Sequence, residues 1–236
     1  MSAQRSQYRP GKPYRGRMDA RRGADDPRLD GFPAGFFSRQ DESTDDLFYR
    51  PDRLVTHIDD HAIETVGRLY RELDLCGPGS GPVLDLMSSW ISHFPTKPQH
   101  LTVLGMNHHE LAANDMADDR VVQDLNTEPI LPFHDGHFAG AVCCVSVDYL
   151  TRPLAVFDEV ARVLQPGGVF ACTFSNRCFP TKAIAGWLGS DDETRVAIVG
   201  AYFGLSSGWD AAEASRLTPP GHRGDPLYAV LARRSR

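Results

Sequence analysis

The chain has 236 residues, 41% of them hydrophobic and 24% charged, which suffices for one sizeable core and a tail. No apolar run approaches the ~20 residues that span a bilayer, and residues 1–19 lack the apolar stretch of a secretory signal. Net charge is −6 and uneven, with residues 1–23 at +6 and the remainder at −12. So acidic a body argues against a broad nucleic-acid surface.

Residues 1–30 are rich in Arg, Gly and Pro and poor in aliphatics. Such a segment cannot bury enough apolar area to offset its ordering entropy, which predicts a disordered basic tail. Residues 31–81 are expected to form an N-terminal lid and helix, and 82–236 an α/β core. From Asp52, the residues Leu54, Ile58, Ala62, Val66, Leu69 and Leu73 recur at helical spacing, up to the breaker Gly77-Pro78-Gly79. Strands and helices then alternate. Strands are expected at Pro82–Met87, Leu101–Met106, Arg120–Leu125, Phe138–Val147, Val169–Ser175 and Pro226–Arg233. Helices are expected around Glu110–Met116, Leu154–Leu164, Lys182–Leu188 and Glu193–Phe203. Alternation of this kind implies a mostly parallel sheet covered on both faces, with ligands outside the carboxyl ends of the strands.

The five cysteines, Cys76, Cys143, Cys144, Cys172 and Cys178, fit no zinc spacing. They read as reduced thiols of a cytoplasmic protein. His57 and His61 are four apart, but no third ligand has matching spacing, so no metal site is expected. No phosphate-binding glycine-lysine loop, serine-histidine-aspartate arrangement or nicotinamide fingerprint is visible.

The strand-end stretches carry the most specific pattern. Leu131-Pro132-Phe133-His134-Asp135-Gly136-His137-Phe138 leads into the fourth strand, and Glu159–Gly168, with Arg162, Leu164, Pro166 and the paired glycines, leads into the fifth. At this separation the two resemble class I S-adenosylmethionine-dependent methyltransferases of the type 11 group, over about residues 52–233. The resemblance implies a Rossmann-like, seven-stranded, mostly parallel sheet with helices on both faces, its last strands antiparallel. It implies S-adenosylmethionine as cofactor and a small-molecule acceptor.

Roles carry over by position. Asp85 stands where the family has the acid near the methionine moiety. Met87, Ser89 and Ile91 stand where the family has loop glycines, with Ser88 and Ser89 offering hydroxyls and Trp90 and Met87 offering bulk. Asn107 replaces the ribose-binding acid, with Glu110 one turn on. Asp124 matches the acid that accepts from the adenine amino group. The cofactor-binding set is therefore Asp85, Ser88, Ser89, Asn107 and Asp124.

His93 and Tyr149 are the candidate catalytic groups facing the acceptor, His93 as a base. A satisfied helix histidine and a packing tyrosine are the plainer alternatives. Ser175-Asn176-Arg177, with Lys182 beyond, is a candidate site for an acidic substrate group or a set of capping and surface residues. Phe36–Arg53 is either a lid or a packed leader. The altered loop leaves two functions open: methylation of a small molecule, and a non-catalytic descendant of the fold that binds a ligand or a protein partner.

Overall fold

The computed structural model describes residues 26–236; the expected disordered tail lies outside the described residues, save for 26–30. Those five are built into the fold. Pro27–Leu29 makes a short 3-10 turn capped by Asp26, and Leu29 packs on the core.

The sheet has seven strands: β1 (Gly77–Leu86), β2 (Pro98–Gly105), β3 (Asp119–Val122), β4 (Phe138–Cys144), β5 (Leu164–Phe174), β6 (Glu213–Arg216) and β7 (Tyr228–Arg233). Their order is β3-β2-β1-β4-β5-β7-β6. The first five are parallel, and β7 runs antiparallel to both β5 and β6. The expected architecture is thus observed. Strand order reverses between β1 and β4, which opens a crevice at their carboxyl ends.

The helices are α1 (Asp45–Tyr49), α2 (Asp60–Glu72), α3 (His108–Ala112), α4 (Pro153–Val163), α5 (Ala185–Leu188) and α6 (Asp192–Leu205). Alternation along β1 divides the core. Leu84 and Leu86 belong to the layer beneath α4 and α6, with Phe157, Phe170, Tyr202 and Phe203. Val83 belongs to the layer beneath α2, with Val66, Tyr70, Phe94 and Leu101. Period two then places the side chain of Asp85 on the Val83 face, at the strand end.

Helix α2 begins eight residues later than the apolar spacing from Asp52 implies. Asp59 fixes the start. One of its oxygens accepts the Ala62 N–H at 2.8 Å, and the other accepts the Asp225 N–H at 2.7 Å. The helix also ends before the Gly-Pro-Gly breaker, at Asp74, which takes the left-handed conformation (φ 59°) more often supplied by glycine. Gly77 is already paired with Pro98 in β1. Strand β6 carried no apolar alternation and is exposed at all four residues, so periodicity could not reveal it.

Between β1 and β2, residues 87–97 form no helix. A parallel crossover usually carries one. Here the loop instead lies across the end of β2. The Ser88 N–H donates to the Leu104 carbonyl at 2.8 Å, and a Cβ on Gly105 would collide with the Ser88 carbonyl.

The two sequence runs that carried the family resemblance are bonded to each other. Glu159, on α4, accepts the Leu131 N–H at 2.9 Å and pairs with Arg162 at 2.6 Å. Arg162 donates to the carbonyls of Leu131 and Phe133 and to Asp135. The acid-arginine pair therefore clamps the chain entering β4 onto the helix leading to β5, a structural duty that satisfies otherwise buried backbone groups.

Residues 26–53 form a strap over this frame. Phe32, Phe36 and Phe37 stack together at centroid distances of 4.8–5.2 Å and lie against Tyr202. The Phe36 ring lies where a Cβ on Gly186 would be. Beyond them an ionic cluster ties the strap down. Lys182 is fully buried, its Nζ 3.2 Å from Asp45, 3.1 Å from Asp41 and 2.7 Å from the Ser43 carbonyl. Arg39 grips Asp45 from the other side at 2.7 and 2.8 Å. Burial pushes the Asp45 carboxyl up, but hydrogen bonds from Arg39 and Asn126 outweigh it and hold the group below its ordinary value. Lys182 is therefore a structural cation and not the substrate contact considered from sequence.

Lys182→Ala should cost ~3–5 kcal/mol by urea denaturation, the range for breaking a buried ion pair, and should speed amide exchange across residues 39–49. A loss below ~1 kcal/mol would show that the cluster does not anchor the strap. Gly105→Ala should destabilise by ~1–3 kcal/mol through its clash with the Ser88 loop. Gly200→Ala, with nothing within 4 Å of the new methyl, should be neutral or stabilising by up to ~1 kcal/mol in the same assay.

Candidate active site

A cavity of about 250 Å³ opens at the carboxyl ends of β1, β2, β3 and β4 and is roofed by the strap. Asp85, Ser88, Ser89, Asn107, Asp124, His93 and Tyr149, the residues singled out from sequence, all line it. Their side chains are committed to different degrees.

Asp85 is buried at the tip of β1 and accepts the Ser88 hydroxyl at 2.7 Å. Burial pushes its carboxyl up to about 7, against hydrogen bonds from Ser92 and Ser88. Ser88 thus positions the acid with its hydroxyl. Ser89 gives its carbonyl to the Asn114 amide at 3.0 Å.

Met87 has φ 56°, the left-handed conformation that favours glycine. The backbone turn expected of a glycine at this position is therefore made by methionine. His93 (φ 51°) and Val145 (φ 45°) also line the cavity in this conformation. A β-branched residue there is strained by about 1–3 kcal/mol. Three of the four non-glycine residues with positive φ among the described residues therefore ring one cavity.

Trp90 does not fill the cleft. Its indole N–H donates to the Val55 carbonyl at 3.1 Å, and its ring lines a second hollow beside α2, with Ile63, Arg68 and Arg71. The two hollows share Ile91, Ser92 and His93.

Asn107 is fully engaged. Its Oδ1 caps α3 by accepting the N–H groups of His109 (2.8 Å) and Glu110 (3.1 Å). Its Nδ2 donates to the carbonyls of Tyr49 and Arg50 and to Asp52. Glu110 keeps one carboxylate oxygen beyond the one that accepts the Arg53 N–H at 2.7 Å, and burial raises its pKa. Asp124 uses one oxygen on the Asn126 N–H at 2.9 Å. Asn126 joins the strap to the sheet edge, donating to Asp45 and to the Tyr149 carbonyl, each at 3.0 Å.

His93 is mostly enclosed, its Nδ1 buried without a hydrogen-bond partner among the described residues. Burial pushes its pKa down to about 4, so the ring is neutral at physiological pH and a weak base. It sits in an irregular loop, not a helix. The Tyr149 hydroxyl accepts the Phe179 N–H at 2.8 Å, and burial holds its pKa well above the ordinary value. It is thus a phenol able to donate, not a phenolate base.

Sequence reasoning named none of Tyr49, Arg53 and Val55 as site residues, although the first two fall in the stretch read as a lid or packed leader; Tyr49 and Arg53 enter the wall from the strap, and Val55 from just beyond it. No local motif marks them, because their position depends on the long-range ion pairs at Asp45. His57 and His61 part company. His57 lines the cavity before α2 begins, whereas the His61 ring stacks on His222 at 4.3 Å. No cluster of three metal-ligating side chains occurs among the described residues.

Comparison with known proteins agrees with this geometry. Residues 75–172 match the family model described as a methyltransferase domain. The bifunctional biotin-biosynthesis protein BioHC of Teredinibacter turnerae is 26% identical over 147 residues, 58% of this chain and 25% of that protein. The mitochondrial 2-methoxy-6-polyprenyl-1,4-benzoquinol methylase of Drosophila melanogaster is 28% identical over 129 residues, 47% of this chain and 42% of that enzyme. The matches span well under half the length of these curated relatives. In fold, the chain resembles one from the complex of the Haloferax volcanii Trm112 methyltransferase activator with a methyltransferase, at a TM-score of 0.55, 16% identity, and coverage of 75% of this chain and 92% of that one. The matched segment runs from the entry to β1 through most of β5 and includes both clamped sequence runs. Together with the strand order, it gives the chain a region that matches a methyltransferase domain, on a fold shared with a solved methyltransferase complex.

Proposed function

We propose that this cleft transfers a methyl group from S-adenosylmethionine to a small-molecule acceptor. The observation that carries this is that Asp85 and Asp124, the acids at the ends of β1 and β3, line one cavity that Trp90 leaves open. The residues present fit the cofactor. Asp85 would face its ammonium group, Asp124 its adenine amino group and Glu110 its ribose hydroxyls, in place of the saturated Asn107. Ser89 and the Met87 turn supply polar backbone and hydroxyl groups between them. Bound there, the cofactor supplies an electrophilic methyl group on a sulfonium.

The chain's own contribution is positioning and exclusion of water. The strap closes the cavity through Tyr49 and Arg53, and Phe179, in contact with Arg53, continues that wall to Tyr149. Tyr149 keeps its proton and can donate a hydrogen bond that orients an acceptor oxygen or nitrogen. His93 accepts a proton only from a group more acidic than most alcohols, so the acceptor atom must be intrinsically nucleophilic or already ionised.

A non-catalytic ligand-binding role draws support from Asn107, whose amide is spent on the strap and the α3 cap. Calorimetry separates the two. S-Adenosylhomocysteine should bind, and Asp124→Ala should weaken it by ~tenfold or more, whereas His61→Ala should change it less than twofold. No binding at about 1 mM ligand would exclude the methyltransferase reading.

Binding should also depend on pH in a definite direction. In the free protein the neutral Asp85 carboxyl is favoured, so its contribution to stability is full below the ordinary value of 3.8 and is lost as pH rises through about 7. A cationic amino group needs the ionised form. Affinity for S-adenosylhomocysteine should therefore rise ~tenfold per pH unit up to about 7 and flatten above it. Asp85→Asn should bind weakly with no such rise; a wild-type profile flat from pH 5.5 to 8 would remove Asp85 from the ammonium site.

A further inference from the structure

We propose that the outer half of the cleft takes its acceptor by an anionic group, a carboxylate or phosphate, carried on a flat apolar body. This rests on the methyl-transfer reading of the same cavity and names its substrate class.

The cavity lining carries both signs of charge. Asp85, Glu110 and Asp124 follow β1, β2 and β3, whereas Arg53 and His57 enter from the chain before α2 and meet Phe179, and Arg177 precedes Phe179 by two residues. The Arg53 guanidinium lies 4.6 Å from the Phe48 ring centroid and 5.4 Å from that of Phe179. The His57 ring meets Phe179 edge-on at 5.2 Å. The further acid of the lining, Asp45, is already matched by Arg39 and Lys182.

Both arginines are held in place and keep donors in reserve. Arg53 rests two nitrogens on the carbonyls of Pro51 and Phe48 and makes no ion pair among the described residues. Arg177 rests its Nε on Asp225 at 2.8 Å, which leaves both terminal nitrogens without an acceptor among the described residues, on a side chain 64% exposed. A planar guanidinium fixed by stacking loses little entropy when it grips a carboxylate or phosphate. The flat body follows from the walls. Tyr149 and Phe179 stack at 6.0 Å and 29°, and Tyr49 lies in the same cavity. A cationic acceptor would meet two guanidiniums instead.

The test uses the full chain saturated with S-adenosylhomocysteine and four probes of similar size: 4-hydroxybenzoate, phenyl phosphate, 4-hydroxybenzamide and tyramine. Dissociation constants are read by ligand-observed NMR. At least one anion should bind ~tenfold or more tightly than both the amide and the amine, and which anion it is identifies the group. Arg177→Gln, at an exposed position, should weaken that anion ~tenfold while leaving the amide within twofold. Equal binding of amide and anions, tighter binding of tyramine, no binding of any probe at about 10 mM, or an unchanged preference in Arg177→Gln would each overturn the proposal. Cofactor binding is measured first and separately. If S-adenosylhomocysteine does not bind, methyl transfer fails on its own, and the same four probes on the cofactor-free protein still decide the preference for anions.

Discussion

The buried contact between Lys182 and Asp45, completed by Arg39, is the constraint on which the cleft depends. Two opposed charges are taken out of water here, a costly step unless each is matched and hydrogen-bonded, and Lys182 and Asp45 both have ionic and hydrogen-bond partners. Through Asn126 the same carboxylate reaches the backbone of Tyr149 and the end of β3. One knot of charge thus fixes the strap, the wall that faces the acceptor and the sheet edge together. The strap itself has few apolar anchors beyond Phe32, Phe36 and Phe37, and exposes Leu47, as the chain just beyond it exposes Leu54 and Val55. Without the ionic knot it would have little to hold it over the opening.

A second economy lies in the backbone. The family's glycine turn is kept in path although glycine is absent, and the conformational cost falls on Met87 and, opposite it, Val145. The Ser146 hydroxyl, at 3.4 Å from the Met87 carbonyl, joins the two strained turns. Strain of this kind persists only where neighbouring contacts determine the chain, and here Gly105 lets the Ser88 carbonyl press against β2. The cleft is therefore shaped before any ligand arrives. The helix that usually follows β1 has been exchanged for a short irregular crossover, and the Trp90 side chain is drawn to the back of the loop by Val55.

The sheet was legible because its strands are nearly continuous apolar runs punctuated by turn chemistry, as at Phe138–Cys144 and Val169–Phe174, although β5 begins earlier than expected, at Leu164. The Glu159–Arg162 run was legible for a different reason: it answers fixed backbone groups at Leu131 and Phe133, so its spacing leaves little freedom. Asp85 and Asp124 followed from their places at strand ends. What escaped notice depends on tertiary partners. The start of α2 is set by a bond from Asp59 to a residue 166 positions away. Lys182 looked like a surface cation, because nothing local shows that Asp41 and Asp45 will meet it. Exposed β6 lacks a buried face and so leaves no periodic trace. Trp90 was read as bulk in the cleft, since sequence gives the size of a side chain but not the side of the loop on which it leaves.

Asn107 joins three parts of the molecule with one small group. Its oxygen closes the first turn of α3, and its two hydrogens are shared among the chain at Tyr49, Arg50 and Asp52. Those hydrogens cannot serve the strap and a guest hydroxyl at once. Any molecule that recruits them must displace Tyr49, Arg50 or Asp52, so occupancy of that corner competes with the bonds that hold this stretch of chain against α3.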